Sequence, residues 1–229
     1  DEESIRILFW TTDNFDSLPI HKAAPVLAEF DADLIILNEG IIDLGTQKSV
    51  FPAHFPNHKI AFLPSGRFAL IRGSILAENF SAAEWQDGTL VQLVVECRGR
   101  SFLALLFDHR SDPDLSRKHA LKKLDEAIDH FAGRPLILMG DFNLPVDSAY
   151  LSHIRANLTN AFDVSGSGFQ ETWPVPIPLL TLDQVWLGDH MIASRTYHRR
   201  MGKSSHEAVI VDLKVDRQAS LKGLDFPAP

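Results

Sequence analysis

Five times along this chain a short apolar run meets an acidic residue or a histidine at one end. Leu34-Ile35-Ile36-Leu37-Asn38 runs into Glu39, and residues 102–107 run into Asp108-His109. Leu136-Ile137-Leu138-Met139-Gly140 runs into Asp141, with Asn143 close behind. Asp183 opens the run Gln184-Val185-Trp186-Leu187, and His206 stands just ahead of Ala208-Val209-Ile210-Val211. Apolar runs of this length read as buried strands. They confine the polar chemistry of the chain to strand ends, where a rigid scaffold presents side chains to a cleft.

The rest of the chain fits between these strands. Residues 5–10 and 33–38 read as buried strands on either side of a helix over 22–30. Residues 59–63 and 68–72, bounded by Pro or Gly, read as short antiparallel strands, and 89–97 with 100–107 flank Arg98-Gly99 as a hairpin. The clearest helix covers 114–131, where Leu115, His119, Leu121, Leu124, Ile128 and Phe131 recur near helical spacing before Gly133. A strand over 135–139 follows, then a second amphipathic helix over 150–162 and a loop rich in Gly, Ser and Pro over 164–178. Strands over 182–187 and 208–215 close the chain, with a basic loop between them. Strands outnumber helices and several pairs are hairpins, which predicts an α/β sandwich with two mainly antiparallel sheets and helices outside. With no repeat, low-complexity linker or shift of composition, one domain over 1–229 is expected.

Composition narrows the function classes. Apolar residues at 45% and charged residues at 23% describe an ordinary globular chain and exclude disorder. The single cysteine, Cys97, excludes an intrachain disulfide and a cysteine-cluster metal site. A formal net charge of -8 argues against coating nucleic acid by bulk charge, and leaves Arg199, Arg200 and Lys203 as a local basic patch suited to phosphate. No apolar run reaches the ~20 residues that span a bilayer. A soluble domain is expected. Because the chain opens on Asp1, an upstream anchor or signal is left open, and with it the compartment.

The strand-end residues make chemical sense together. Hard divalent cations such as Mg²⁺ or Mn²⁺ take carboxylate oxygens, a role that suits Glu39 and Asp141. Asp183 and His206 can pair, the carboxylate setting the imidazole tautomer and raising its basicity. Asn143 can orient a water or a phosphate oxygen without adding charge. A metal and histidines around a phosphoryl group are a layout for phosphoester hydrolysis. The remaining histidines show no ligand spacing.

The motifs themselves are distinctive. Gly140-Asp141-Phe142-Asn143 resembles the GDFN signature of the endonuclease/exonuclease/phosphatase superfamily. Leu37-Asn38-Glu39, Asp108-His109, Leu182-Asp183-Gln184-Val185 and Ser204-Ser205-His206 resemble its other motifs in the same order. Thr172-Trp173-Pro174 resembles a bacterial subgroup, some of whose members carry N-terminal membrane helices. The resemblance implies the DNase I-like fold, a four-layer α/β sandwich with its two sheets face to face. It implies Glu39 as principal Mg²⁺ ligand, with Asp141, aided by Asn143, orienting or deprotonating the attacking water. It also implies His206 paired with Asp183 for charge stabilisation or proton transfer, and His109 on a non-bridging phosphate oxygen. The expected substrate is a phosphoester, in nucleic acid or in a small phosphate or lipid head group. Two positions depart from the pattern: Thr11 stands where the superfamily has Asn after the first strand, and Ser205 where it has Asp beside the last His. A catalytically weakened binding or regulatory module on the same fold is the alternative they leave.

Overall fold

The computed structural model describes residues 3–15, 18–40, 44–64, 66–202, 204–219 and 221. Strand β1 (Ile5–Thr11) leads through a short 3-10 turn and helix α1 (Ile20–Ala28) to β2 (Leu34–Asn38). Helix α2 (Leu44–His54) and strands β3 (Lys59–Leu63), β4 (Arg67–Ile71), β5 (Gly73–Glu84), β6 (Gly88–Cys97) and β7 (Arg100–His109) follow. Next are α3 (Lys118–His130), β8 (Leu136–Asp141), α4 (Ser152–Asn157), β9 (Thr159–Asn160) and α5 (Ala161–Ser165). Strands β10 (Asp183–Leu187), β11 (Met191–Arg200) and β12 (Glu207–Val215) complete the fold.

The strands form two six-stranded sheets, in the orders β11-β12-β1-β2-β4-β3 and β5-β6-β7-β8-β10-β9. Each sheet has one parallel pair at its centre, β1 with β2 and β7 with β8. Every other pairing between these strands is antiparallel. A parallel pair needs a crossover, and α1 and α3 supply it, packing on the outer face of their own sheets. Ile20, Ala23, Ala24 and Leu27 on α1, and Leu121, Leu124 and Ile128 on α3, line the stripe that each helix buries.

Alternation along the central strands explains their unbroken apolar sequence. In β2, Leu34 and Ile36 point into the core between the sheets, while Ile35 and Leu37 pack under the helices. In β8, Ile137 and Met139 face the opposite sheet, and Leu136 and Leu138 face α3. Both faces of the central strands are therefore covered, giving four layers, helix on sheet on sheet on helix.

Three sequence expectations change. The basic segment before the last strand is not a loop but β11, an edge strand. Its outward side chains are solvated, and a register shift between Ala193 and Arg195 breaks the alternation that would have marked it. The helix expected over 150–162 is divided. Leu158 is extended, Thr159–Asn160 pairs with β10, and the Asn160 side chain caps a new helix by accepting from the Phe162 and Asp163 N–H groups. The strand β5, also an edge, and helix α2 were not foreseen. Among the described residues no helix is long and apolar enough to cross a membrane.

At β8 the backbone carries its own requirement. A Cβ on Gly140 would meet the Phe107 carbonyl oxygen of β7 at 1.8 Å, so only glycine lets the two strands pair there. Gly140→Ala is expected to destabilise the fold by on the order of 3 kcal/mol in urea titration. A loss under about 0.5 kcal/mol, the level of a neutral surface change, would show that the strands yield at this point.

Candidate active site

The topology brings the chemistry to one end of the sandwich. The parallel strands β1, β2, β7 and β8 finish there, Thr11 opposite Asn38 and Asp108 opposite Asp141. Strand β10 runs antiparallel to β8 and starts there, Asp183 facing Asp141. Strand β12, antiparallel to β1, also begins at this end, just after His206.

Asp141, Asp183 and His206 converge with their ligating atoms within 4.8 Å of one another, and all three are buried. His206 Nδ1 lies 2.7 Å from Asp183 Oδ2, and its Nε2 lies 4.0 Å from Asp141 Oδ2. A carboxylate only accepts, so Nδ1 carries the proton of the shorter contact. The other Asp183 oxygen accepts from the Thr11 hydroxyl at 2.7 Å, and the Asp183 N–H donates to Thr172 Oγ1 at 3.1 Å. Burial and then the charge of Asp183 hold the Asp141 carboxyl well above the usual range. Burial pulls His206 down, but Asp183, Asp141 and Asp13 outweigh it and raise the imidazole to about 10. His206 is thus an imidazolium at neutral pH.

The Gly140-Asp141-Phe142-Asn143 motif has a local explanation for each residue. Phe142 is buried against Phe107, ring centroids 5.3 Å apart. Asn143 takes the left-handed conformation, with φ 46°. Its N–H donates to Asp141 Oδ1 at 3.0 Å, and its amide Nδ2 donates to the His109 carbonyl at 2.7 Å. The turn therefore aims Asp141 and ties β8 to the end of β7.

Glu39 also sits in a left-handed turn, with φ 53°. A strained residue of this kind persists only where its surroundings hold it. Here the Thr12 hydroxyl reaches the carbonyls of Asn38 and Glu39 at 3.1 and 3.0 Å. Burial, then the charge of Asp108, pushes the Glu39 carboxyl up to about 7, with Asp13 and Asp183 adding to the effect and His206 opposing it. Asp108 itself is raised by burial against the pull of Arg67, a fully buried guanidinium 3.5 Å away that also donates to Thr89 Oγ1 at 2.6 Å. That ion pair gives Asp108 a structural role.

His109 is buried and held neutral, first by desolvation. Its Nδ1 faces the Arg110 carbonyl at 2.9 Å and Arg117 Nη1 at 3.0 Å, and its Nε2 has no partner. Arg199 and Arg200 lie exposed at the end of β11, in register with Ala208 and Glu207 of β12. Lys203 lies outside the described residues.

Three further polar residues stand at the site: Asp13 was not singled out in the sequence, and the partners of Thr11 and Thr172 were not legible there. Thr11 turns its hydroxyl onto Asp183, and Thr172 anchors the start of β10. Asp13 Oδ2 accepts from the Ser205 N–H at 3.0 Å and the Ser205 hydroxyl at 2.6 Å, with Ser204 Oγ at 3.4 Å. A carboxylate thus stands against the residue where the motif lacks one. The signal that marks Glu39 and Asp141, an acid just past an apolar strand, was present for Asp13 as well.

No curated protein matches the chain by sequence. Solved structures match its fold. An endonuclease/exonuclease/phosphatase family protein from Bacteroides thetaiotaomicron is 15% identical, with a TM-score of 0.73 over 94% of this chain and 99% of that one. A mannosyl-6-phosphatase from the same organism is 14% identical, with a TM-score of 0.70 over 91% and 99%. D. rerio TDP2 complexed with a single-strand DNA product is 16% identical, with a TM-score of 0.67 over 93% and 99%. At such identities the likeness shows the DNase I-like sandwich alone. The sequence match is independent of it: the model of the Endonuclease/Exonuclease/phosphatase family covers residues 14–206, from the turn after β1 to His206, and the chain belongs to that family.

Proposed function

We propose that this protein is a divalent-metal-dependent phosphoester hydrolase that uses an activated water. The observation that carries this reading is the crowding of buried and half-buried carboxylates at the common end of both sheets. Glu39 and Asp141 have raised proton affinities because each is desolvated among like charges. Such a set of hard oxygen donors fits Mg²⁺ or Mn²⁺, whose charge would relieve the repulsion. Glu39 and Asp141 are the residues to hold the ion. Asp183 and His206 are committed to each other through Nδ1 and are better suited to work as a pair. When bound, the ion would act as a Lewis acid on a phosphoryl oxygen.

The chain's own residues supply the remainder. Asp141, aimed by Asn143, orients the attacking water and accepts its proton. The His206 imidazolium, backed by Asp183, stabilises negative charge that develops on the phosphoryl group or passes a proton to the leaving oxygen. His109, neutral and with Nε2 unpartnered, is a donor for a non-bridging phosphate oxygen in its Nε2–H form. Arg199 and Arg200 add positive charge for an anionic substrate. The related folds include a mannosyl-6-phosphatase and a protein holding single-strand DNA product. The overall charge of -8 favours a small phosphate ester over a long duplex for this chain.

Purified protein with Mn²⁺ is expected to hydrolyse p-nitrophenyl phosphate or bis-p-nitrophenyl phosphate, and Asp141→Asn to lower kcat by roughly 10²–10⁴-fold with its circular dichroism unchanged. Hydrolysis that survives the substitution would remove Asp141 from the mechanism. Metal and pH act on Glu39 with a definite sign. Its ordinary value is 4.5 and its folded value about 7, so between these the folded chain keeps a proton that the unfolded chain has lost. Stability without metal therefore falls as pH rises through that window. Glu39→Gln is expected to raise Tm at pH 8 in chelator and to leave it nearly unchanged at pH 4. With Mn²⁺ a hundredfold above its Kd at pH 8, the native protein should gain roughly 5–10 °C in Tm, and Glu39→Gln should gain little. Equal gains in both proteins would place the ion elsewhere.

A further inference from the structure

The last residue of β1 and the two that follow it touch three separate parts of the site. Thr11 donates to Asp183 Oδ1 at 2.7 Å. Thr12 bonds the turn that carries Glu39. Asp13 accepts from Ser205, the neighbour of His206, at 2.6 and 3.0 Å. Thr11 is the last residue of β1, and Asp13 opens the 3-10 turn in the left-handed conformation, with φ 48°, so the three side chains leave the strand end in different directions. We propose that Thr11-Thr12-Asp13 is the positioning element of this site, and that Thr11 acts in turnover through Asp183 upon His206. This rests on the hydrolase reading above.

The geometry of the chain of contacts is specific. Asp183 is buried, and its two oxygens are divided between the Thr11 hydroxyl and His206 Nδ1, each at 2.7 Å. Rotating that carboxylate away from His206 would break the Thr11 bond as well. Thr11 is itself fully buried, and its branched side chain holds a narrow range of χ1, which fixes the direction of the hydroxyl. The imidazole is held from its own side too. The His206 N–H donates to Ser204 Oγ at 3.3 Å, and Ser204 Oγ lies 3.5 Å from the Thr11 carbonyl and 3.4 Å from Asp13 Oδ2. Thr11 and Asp13 thus hold the two halves of the Asp183–His206 pair from one turn. At the position where the family pattern has Asn, a hydroxyl of the right reach does the positioning.

Thr11→Val keeps the shape and removes only the donor, and Thr11→Ser restores it. With Mn²⁺ and p-nitrophenyl esters, Thr11→Val is expected to lower kcat about tenfold with KM within about twofold, and Thr11→Ser to return most of the loss. In ¹H–¹⁵N spectra of the metal-free proteins, the His206 Nδ1 proton is expected far downfield in the native chain. It should move upfield in Thr11→Val and return in Thr11→Ser. Should Thr11→Val not fold by circular dichroism, Thr11→Ala serves the same comparison. An unchanged kcat together with an unmoved resonance would overturn the proposal. So would an equal loss of kcat in the Val and Ser variants, which would mark a packing role. If the native chain hydrolyses neither ester, the hydrolase reading fails, and the resonance alone decides whether Thr11 positions Asp183 and His206.

Discussion

Burial of the central strands of both sheets on both faces is the constraint from which the rest follows. Each central strand lies between the opposite sheet and a layer of helices, so nearly every residue along it must be apolar. Polar groups can then be accommodated only where strands run out. The parallel pairs at the centre of each sheet make four strands run out at the same end, and the antiparallel β10 and β12 begin there. A single architectural condition therefore gathers Glu39, Asp108, Asp141, Asp183 and His206 without any of them being close in sequence.

Gathering them is costly. Carboxylates taken out of water among other carboxylates resist ionisation, as the raised values of Glu39, Asp108 and Asp141 record. Two internal cations offset part of the cost. Arg67 sits beside Asp108, and His206 holds a proton between Asp183 and Asp141. The strained turns at Glu39 and Asn143 add to the expense. Apolar residues in their place would relieve that cost, so stability alone does not account for these groups standing together at one end of the sandwich.

Reading from sequence succeeded where burial is two-sided and failed where it is not. The strands from Leu34 and Leu136 were legible because alternating layers demand apolar residues at every position. Strand β11 was not, because it is an edge with a solvated face and a register shift, and β5 is likewise an edge with a register shift, between Leu76 and Phe80. The segment 150–162 has helical spacing of its apolar residues, yet Asn160 caps a fresh helix and a two-residue strand intervenes to pair with β10. Local periodicity cannot see a partner strand that arrives from residues 183–187.

The same division applies to the candidate site. Sequence by itself determined the acids and histidines at the strand ends, the Gly-Asp-Phe-Asn turn and the order of the motifs, since each depends on neighbours in the chain and on burial. Only the tertiary structure decided what stands beside them. Thr11 and Asp183 are 172 positions apart, and Asp13 and Ser205 are 192 apart, yet each pair shares a hydrogen bond under 3 Å. Hydroxyls and carboxylates are common in any chain, and nothing local marks one as the partner of another. Their meeting is set by which strands pair in parallel at the centre of each sheet, a property of the whole fold.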